Sequence, residues 1–339
     1  MTDTHPLISV CIANYNGMEV IDDCLRSVLE QQGRLSVEIL VHDDASSDGS
    51  ADHIRRRYPQ VKLIASDGNV GFCVANNRMA AQARGTHLLL LNNDAALYPD
   101  ALLALLLEAN RIGRPAILGL PQYDAGSGEL VDIGCLLDPF LNPVPNLNPD
   151  RNEVGMVIGA CLWVPRELWD ELGGFPEWFG SIGEDLYLCC RARLTGYAVR
   201  ALAVSGYRHW QGKSFGGNRV IENRLATTFR RRALSERNKC FAMVLVYPAP
   251  LFQLVFPIHL VLLLVEGFVL SLLKKQWRVL RDIYAACLQS LWGERKNLLR
   301  LRRQIQTGRA ISWWTFMHPF TWCPHKLRLL LRHGVPRIG

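Results

Sequence analysis

The 339-residue sequence contains no C-x-x-C pair among its ten cysteines, so it encodes neither a zinc ribbon nor an obvious disulfide framework. The thiols read instead as small buried apolar residues. Zinc-finger spacing, an RNP-type aromatic signature and a basic zipper are also missing, which argues against a nucleic-acid reader. No G-x-G-x-x-G follows the first apolar run, so the dinucleotide fingerprint is absent. Two imitations fail on one position each. Gly212-Lys213-Ser214 resembles the end of a phosphate loop, but Tyr207 stands where its leading glycine belongs. Asp44-x-Ser46-x-Asp48-Gly49 resembles a calcium loop, but Arg55 stands at the twelfth position, where a bidentate Glu is required. The opening Met-Thr-Asp-Thr-His-Pro has no basic n-region or apolar h-region, and the expectation is a chain in a reducing cytoplasm.

What is present is ample apolar material. Hydrophobic residues make up 49% and charged residues 20%, enough for a core larger than one usual domain. The formal charge of +7 is unevenly spread: residues 274–339 hold 14 Lys and Arg against Asp282 and Glu294, so that segment carries +12 and the remainder −5. A basic tail on a mildly acidic body suits an anionic surface or substrate.

Leu88-Leu89-Leu90-Leu91 is too short for an independent helix and reads as a strand buried on both faces, as parallel sheets require. It is one of several. Leu7–Ala13, Val37–Val41 and Val61–Ala65 are apolar runs ending in polar turns, separated by segments with helical character, including one from Cys73 to Arg84. This β-α-β-α-β-α-β order predicts an α/β doubly wound parallel sheet, with polar residues collected at one rim. A Leu-rich helix from Ala101 to Glu108 and a strand from Ala116 to Leu120 extend it. Residues 121–155, rich in Gly, Pro and Asn, read as hairpins and loops. Met156–Val164 is again strand-like, and Tyr197–Val204 supplies a last strand.

The rim carries the candidate chemistry, because ligands bind outside the carboxyl ends of strands in open α/β sheets. Asn92-Asn93-Asp94 ends the leucine strand, and Asp94 offers the oxygen donor a hard cation on a diphosphate needs. The same residues also suit a turn. Glu184-Asp185 opens a helix that ends at Thr195-Gly196, where the helix dipole is expected to keep a carboxylate ionised for accepting a proton. Between them, Gly173-Gly174 and Gly180-Ser181-Ile182-Gly183 flank Phe175, Trp178 and Phe179, which could form a sugar platform or a packed turn.

Taken in order, Val10–Gly17, Val41–Gly49, Asn69-Val70-Gly71-Phe72 with Asn76-Asn77, Leu91–Asp94, Gly159-Ala160-Cys161, Glu184-Asp185-Leu186 with Arg191 and Gly196-Tyr197, and His209-x-x-Gly212-Lys213-Ser214 resemble a family-2 glycosyltransferase of the GT-A fold, in its bacterial rhamnosyltransferase-like branch. The resemblance covers roughly residues 7–240. It implies a Rossmann-like, mostly parallel sheet with helices on both faces. It also implies roles: Ala13, Asn14, Asp44 and Asn69 at the nucleoside, Asn92 and Asn93 at the nucleotide sugar, and Asp94 with His209 on Mg2+ or Mn2+. Asp185 would be the general base and Glu184 would orient the acceptor. Two residues depart from the family pattern. Asn92 replaces the first Asp of D-x-D, and Tyr187 stands where a further Asp is common.

The expected reaction is inverting transfer from a nucleotide-diphosphate sugar to a lipid-linked or saccharide acceptor in cell-surface polysaccharide synthesis. Residues 1–240 form the expected catalytic domain and 241–339 a helical, membrane-associated region. Within the latter, Leu251–Leu273 is long enough to span a bilayer. Basic clusters on both sides of it, with Glu266 inside, favour an in-plane or re-entrant position on the cytoplasmic face of the inner membrane. Five tryptophans, at 277, 292, 313, 314 and 322, suit that interface. The partners expected are thus donor, acceptor and membrane surface, with no nucleic acid. Two rival readings are a polyprenyl-phosphate glycosyl synthase and a catalytically silent membrane scaffold.

Overall fold

The computed structural model describes residues 6–210, 219–221 and 224–338. Gly212, Lys213 and Ser214 lie outside the described residues. Strands β1 (Ile8–Asn14), β2 (Val37–Asp43), β3 (Lys62–Ala65) and β4 (His87–Asn92) alternate with helices α1 (Ile21–Leu29), α2 (Ser50–Arg57) and α3 (Phe72–Gln82). All four strands are parallel, with β1 between β2 and β4. Leu88 and Leu90 enter the core on one face, Leu89 and Leu91 the core on the other, and none is more than 2% exposed. Alternating side chains buried on both sides are what the leucine run predicts.

The chain continues through β5 (Ala95–Leu97), α4 (Ala101–Ile112), β6 (Ala116–Gly119), β7 (Gln122–Asp124), β8 (Leu130–Asp132), β9 (Cys135–Leu137) and β10 (Pro143–Pro145). It then forms β11 (Cys161–Pro165), α5 (Arg166–Leu172), α6 (Glu184–Leu194), β12 (Ala198–Ala201) and β13 (Tyr207–His209). The main sheet has the order β12-β6-β11-β4-β1-β2-β3. Residues of α1, α2 and α4 pack on one face, and those of α3, α5 and α6 on the other. This is the GT-A architecture, mostly parallel, with one exception that shapes the site.

That exception is β11, which is antiparallel to both β4 and β6. Its start therefore reaches the rim where β4 ends, and the Asn92 amide donates to Ala160 O at 3.0 Å. The strand expected from Met156 is shorter. The chain turns at Gly159-Ala160, and Met156 forms only an isolated bridge to Cys135.

A second sheet, in the order β5-β13-β7-β8, sits beside that rim. Because β13 pairs antiparallel with β5 in the register His209↔Ala95, His209 arrives next to Asp94. Register, set by backbone bonding, thus joins two residues that are distant in sequence.

The carboxy-terminal region is helical: α7 (Phe229–Val246), α8 (Leu251–Lys274), α9 (Trp277–Val279), a π-helical turn (Leu280–Ala285), α10 (Ala286–Thr307), α11 (Trp313–Phe316) and α12 (His325–His333). Arg302 of α10 donates to Val244 O at 2.6 Å and Tyr247 O at 2.7 Å, which satisfies carbonyls that the end of α7 leaves open. Helix α8 folds back along α7, with His259 Nε2 3.4 Å from Cys240 Sγ and Glu266 paired with Arg232. Glu236 of α7 is buried between Lys239 at 2.8 Å and Lys326 of α12 at 2.6 Å, so the ion pairs that hold these helices together are internal. Nine of the ten cysteines are buried and all are free.

Candidate active site

Asn14 ends β1, and both ends of its side-chain amide are fixed. Its Nδ2 donates to Asp43 Oδ1 at 2.8 Å and Ser50 Oγ at 3.0 Å, while its Oδ1 accepts from Asn93 Nδ2 at 2.9 Å. The turn after it depends on Gly17, where a Cβ would overlap Asn14 Oδ1 and Asn93 Nδ2. Beyond β2, the Asp44 carboxylate accepts from the Val70 and Gly71 amides at 2.6 and 2.9 Å. The loop holding Asn69 is thereby tied to the end of β2. Gly71 has φ +89°, which an L side chain adopts only under strain. Each Asp44 oxygen retains a second lone pair for a ligand.

These residues line a cavity of about 740 Å³ at the rim, with Ala13, Asn14, Asp44, Asn69, Asn92 and Asn93 on one side and Glu184 and Asp185 on the other. The Asn92 Oδ1 is buried without a hydrogen-bond partner among the described residues. Asp94 and His209 do not line that cavity. Asp94 directly follows the lining residue Asn93, and the two side chains face each other, His209 Nε2 being 3.1 Å from Asp94 Oδ1.

On the far side of the imidazole, Nδ1 lies 3.2 Å from Gln122 Oε1, which also accepts from the Tyr207 hydroxyl at 2.7 Å. Both ring nitrogens thus face oxygens; with the proton on Nδ1, the Nε2 lone pair is turned toward the Asp94 carboxylate. Two electron-rich atoms in that position call for a cation or proton between them. The pair therefore fits a divalent cation, with Gln122 holding the ring as partners of metal-bound histidines do. Among the described residues no group of three or more His, Cys, Asp and Glu surrounds a common point. The protein would supply two donors, leaving the other positions to diphosphate and water oxygens, a pattern Mg2+ commonly uses.

Across the cavity, Asp185 Oδ2 accepts from the Gly159 amide at 2.9 Å, and its Oδ1 accepts from the Leu186 amide at 2.7 Å. The turn ahead of β11 thus locks the side chain. The expected ionising effect of the helix N-terminus is outweighed here. Burial raises the Asp185 carboxyl above its usual range, and burial together with the Asp185 charge pushes Glu184 up to about 8. Glu184 is thereby a neutral hydrogen-bond donor at pH 7. Of the glycine-flanked aromatics, Phe175 is packed into the core, and Phe179, equally buried, lines the cavity together with the exposed Trp178.

Comparison with known proteins agrees with this geometry. Residues 9–173 match the family described as Glycosyl transferase family 2. The chain carries a family-2 glycosyltransferase domain. A relative from Mycobacterium tuberculosis, N-acetylglucosaminyl-diphospho-decaprenol L-rhamnosyltransferase, is 27% identical over 246 residues, covering 64% of this chain and 79% of the relative. Two solved structures share the fold. Staphylococcus aureus TarS 1-349 in complex with UDP-GlcNAc aligns with TM-score 0.55 at 15% identity over 91% of this chain and 90% of that one. GalNAc-T7 with UDP, GalNAc and Mn2+ aligns with TM-score 0.51 at 18% identity over 60% of this chain and 43% of that one.

The glycosyltransferase has a further wall that the sequence did not disclose. Arg230, Arg231, Arg237 and Lys239 of α7 all line the cavity. Next to them, Asn238 Nδ2 lies within donating distance of Phe179 O, Ser181 O and Ile182 O at 3.0, 2.9 and 2.7 Å, and Arg237 donates to Phe179 O at 2.9 Å. Helix α7 therefore clamps the loop that delivers Glu184 and Asp185. In the sequence, Arg230-Arg231-Arg232 and Arg237 read as a basic flank of the apolar helix. A charge run shows abundance, not direction, and α7 has no single apolar stripe to set its facing.

Proposed function

We propose that this protein is a metal-dependent, inverting glycosyltransferase that moves a sugar from a nucleotide-diphosphate donor to a hydroxyl of a lipid-linked or saccharide acceptor. The first donor to try is dTDP-rhamnose, and the setting is cell-surface polysaccharide assembly. The observation that carries the reading is the meeting, in one cavity, of the fixed Asn14–Asn93 amides and the locked Asp185 carboxylate. The names of the mycobacterial relative and of the two GT-A structures support donor, acceptor and ion classes in the same direction.

In this reading Ala13, Asn14, Asp44 and Asn69 bind the nucleoside, and Asn92 and Asn93 hold the sugar diphosphate above Asp94 and His209. Asp94 and His209 would hold Mg2+ or Mn2+, which when bound would supply positive charge against the charge that develops on the leaving diphosphate. Asp185 takes the acceptor's hydroxyl proton as the new glycosidic bond forms, and the nucleotide diphosphate leaves with the bonding pair. One displacement with no enzyme nucleophile gives inversion. Neutral Glu184 donates a hydrogen bond that orients the acceptor.

We take residues 1–240 as the catalytic unit and 241–339 as a region seated on the cytoplasmic face of the inner membrane. Helix α8 supports this. It is the one helix among the described residues long and apolar enough to cross a bilayer, and most of it is not buried in the protein. Trp277, Trp292, Trp313, Trp314 and Trp322, which follow it in the chain, are all exposed, as interfacial anchors are.

The test is transfer from dTDP-rhamnose to N-acetylglucosaminyl-diphospho-polyprenol by wild type and Asp185→Asn. A loss of about 10²- to 10⁴-fold, with nucleotide binding retained, is expected of a general base. An unchanged rate would overturn that role.

A further inference from the structure

Four cations of α7 line the cavity, yet they are not equivalent. Lys239 is neutralised by Glu236 at 2.8 Å and also donates to Asn142 Oδ1 at 2.9 Å. Arg237 is spent on the Phe179 carbonyl and on Asn238. Arg231 differs. Among the described residues its guanidinium makes no hydrogen bond or ion pair, although it is half-buried and stands in the field of Glu184 and Asp185. Five N–H donors in a fixed fork, partly removed from water and unanswered, are a bidentate site for a phosphate or carboxylate.

The surroundings indicate which anion. Arg231 stands close enough to feel the charge of the carboxylates that would handle the acceptor, whereas the expected donor diphosphate lies toward Asn92, Asn93 and Asp94. Its sequence neighbour Arg232 pairs with Glu266, so α8 passes alongside at the level of Arg231. At that level Val265, Phe268 and Val269 are exposed apolar side chains. Packed helices lie about 8–10 Å apart. An anion on Arg231 is thus roughly one helix diameter from an apolar track.

We propose that Arg231 binds the phosphate group of an isoprenoid-phosphate-linked acceptor, whose hydrocarbon chain leaves along the exposed face of α8 while its sugar hydroxyl meets Asp185. The inference rests on the glycosyltransferase reading and narrows its acceptor to a phosphorylated lipid. Charge and apolar surface are then read together: the guanidinium selects the phosphate, and α8 takes the chain.

The experiment titrates the full-length protein in mild detergent micelles with geranylgeranyl diphosphate, with geranylgeraniol, and with UDP or dTDP plus Mn2+. Wild type is compared with Arg231→Gln and Arg231→Lys. Loss of a charge-assisted, bidentate contact weakens geranylgeranyl diphosphate binding by about tenfold or more in Arg231→Gln, with partial recovery in Arg231→Lys. Nucleotide affinity stays within about twofold, which also reports that the variants are folded. Equal lipid diphosphate affinity in wild type and Arg231→Gln overturns the inference. So does a parallel loss of nucleotide affinity, which would give Arg231 to the donor diphosphate. If the wild type binds nucleotide but does not prefer the diphosphate over geranylgeraniol, the acceptor subsite falls and the transferase reading stands. If it binds neither nucleotide nor lipid diphosphate, both fall.

Discussion

His209 Nε2 faces Asp94 Oδ1 across 3.1 Å because strand β13 pairs with β5 in a register that places His209 opposite Ala95. The relationship has a third member. Gln122 Oε1, 3.2 Å from Nδ1, offers that nitrogen an acceptor and so favours the tautomer that leaves Nε2 open toward Asp94.

Replacing Gln122 by Leu keeps the volume and removes the acceptor. The imidazole is then free to take the other tautomer, which turns an N–H toward the cation position. Affinity for Mn2+ in the presence of nucleotide, followed by the EPR signal of free Mn2+, is expected to fall about 10- to 100-fold, as for other partners of metal-bound histidine. Unchanged Mn2+ affinity would remove Gln122 from the site.

The Glu184–Asp185 pair predicts a pH dependence. Glu184 rises to about 8, chiefly through burial and then through the Asp185 charge. The folded state therefore holds a proton there that the unfolded chain releases near the ordinary carboxyl pKa, about 4.3. Stability from this group is present in full below the unfolded value and is lost as pH rises through about 8. Asp132, raised to about 7 by burial, titrates in the same window in any variant and cancels in a difference. Between pH 5 and 8 the wild type should thus lose more stability than Glu184→Gln, by something of the order of a few kcal/mol. Thermal melts of both proteins across that range check it, and parallel curves would contradict it.

Gly17 permits the close approach of Asn14 and Asn93. In Gly17→Ala the added methyl group meets both amides, and the hydrogen bond between them must open. Overpacking of this kind costs about 1–3 kcal/mol. Because the strain falls on the nucleoside wall, UDP or dTDP affinity should weaken by about tenfold in equilibrium dialysis, with the protein still folded. Undiminished nucleotide affinity would mean that Asn14 and Asn93 do not shape the donor pocket.

Much of the central sheet was legible because its signals are local. The leucine run from Leu88 to Leu91 needs no partner to announce a strand buried on both faces, and Asn14-Tyr15-Asn16-Gly17 marks a turn wherever it stands. Strand direction is not encoded in this way. Nothing within Cys161–Pro165 says that it opposes β4, although that reversal brings the Gly159 amide to Asp185. The meeting of Asp94 with His209 was expected from the family resemblance alone, since register between distant strands is decided by tertiary pairing. Helix α7 escaped notice for a related reason. It is enclosed by the catalytic half on one side and the carboxy-terminal helices on the other, so its polar residues point to ligands and ion pairs, and its sequence lacks the periodic stripe of a surface helix.

This cavity is expected to bind a nucleotide diphosphate through a cation held by Asp94. Calorimetric titration with UDP and dTDP, each with and without Mn2+, on wild type and Asp94→Ala tests it most directly. Metal-dependent binding of at least one nucleotide to the wild type, lost in Asp94→Ala, is the expected result. Binding that is indifferent to Mn2+, or is the same in Asp94→Ala, would contradict it.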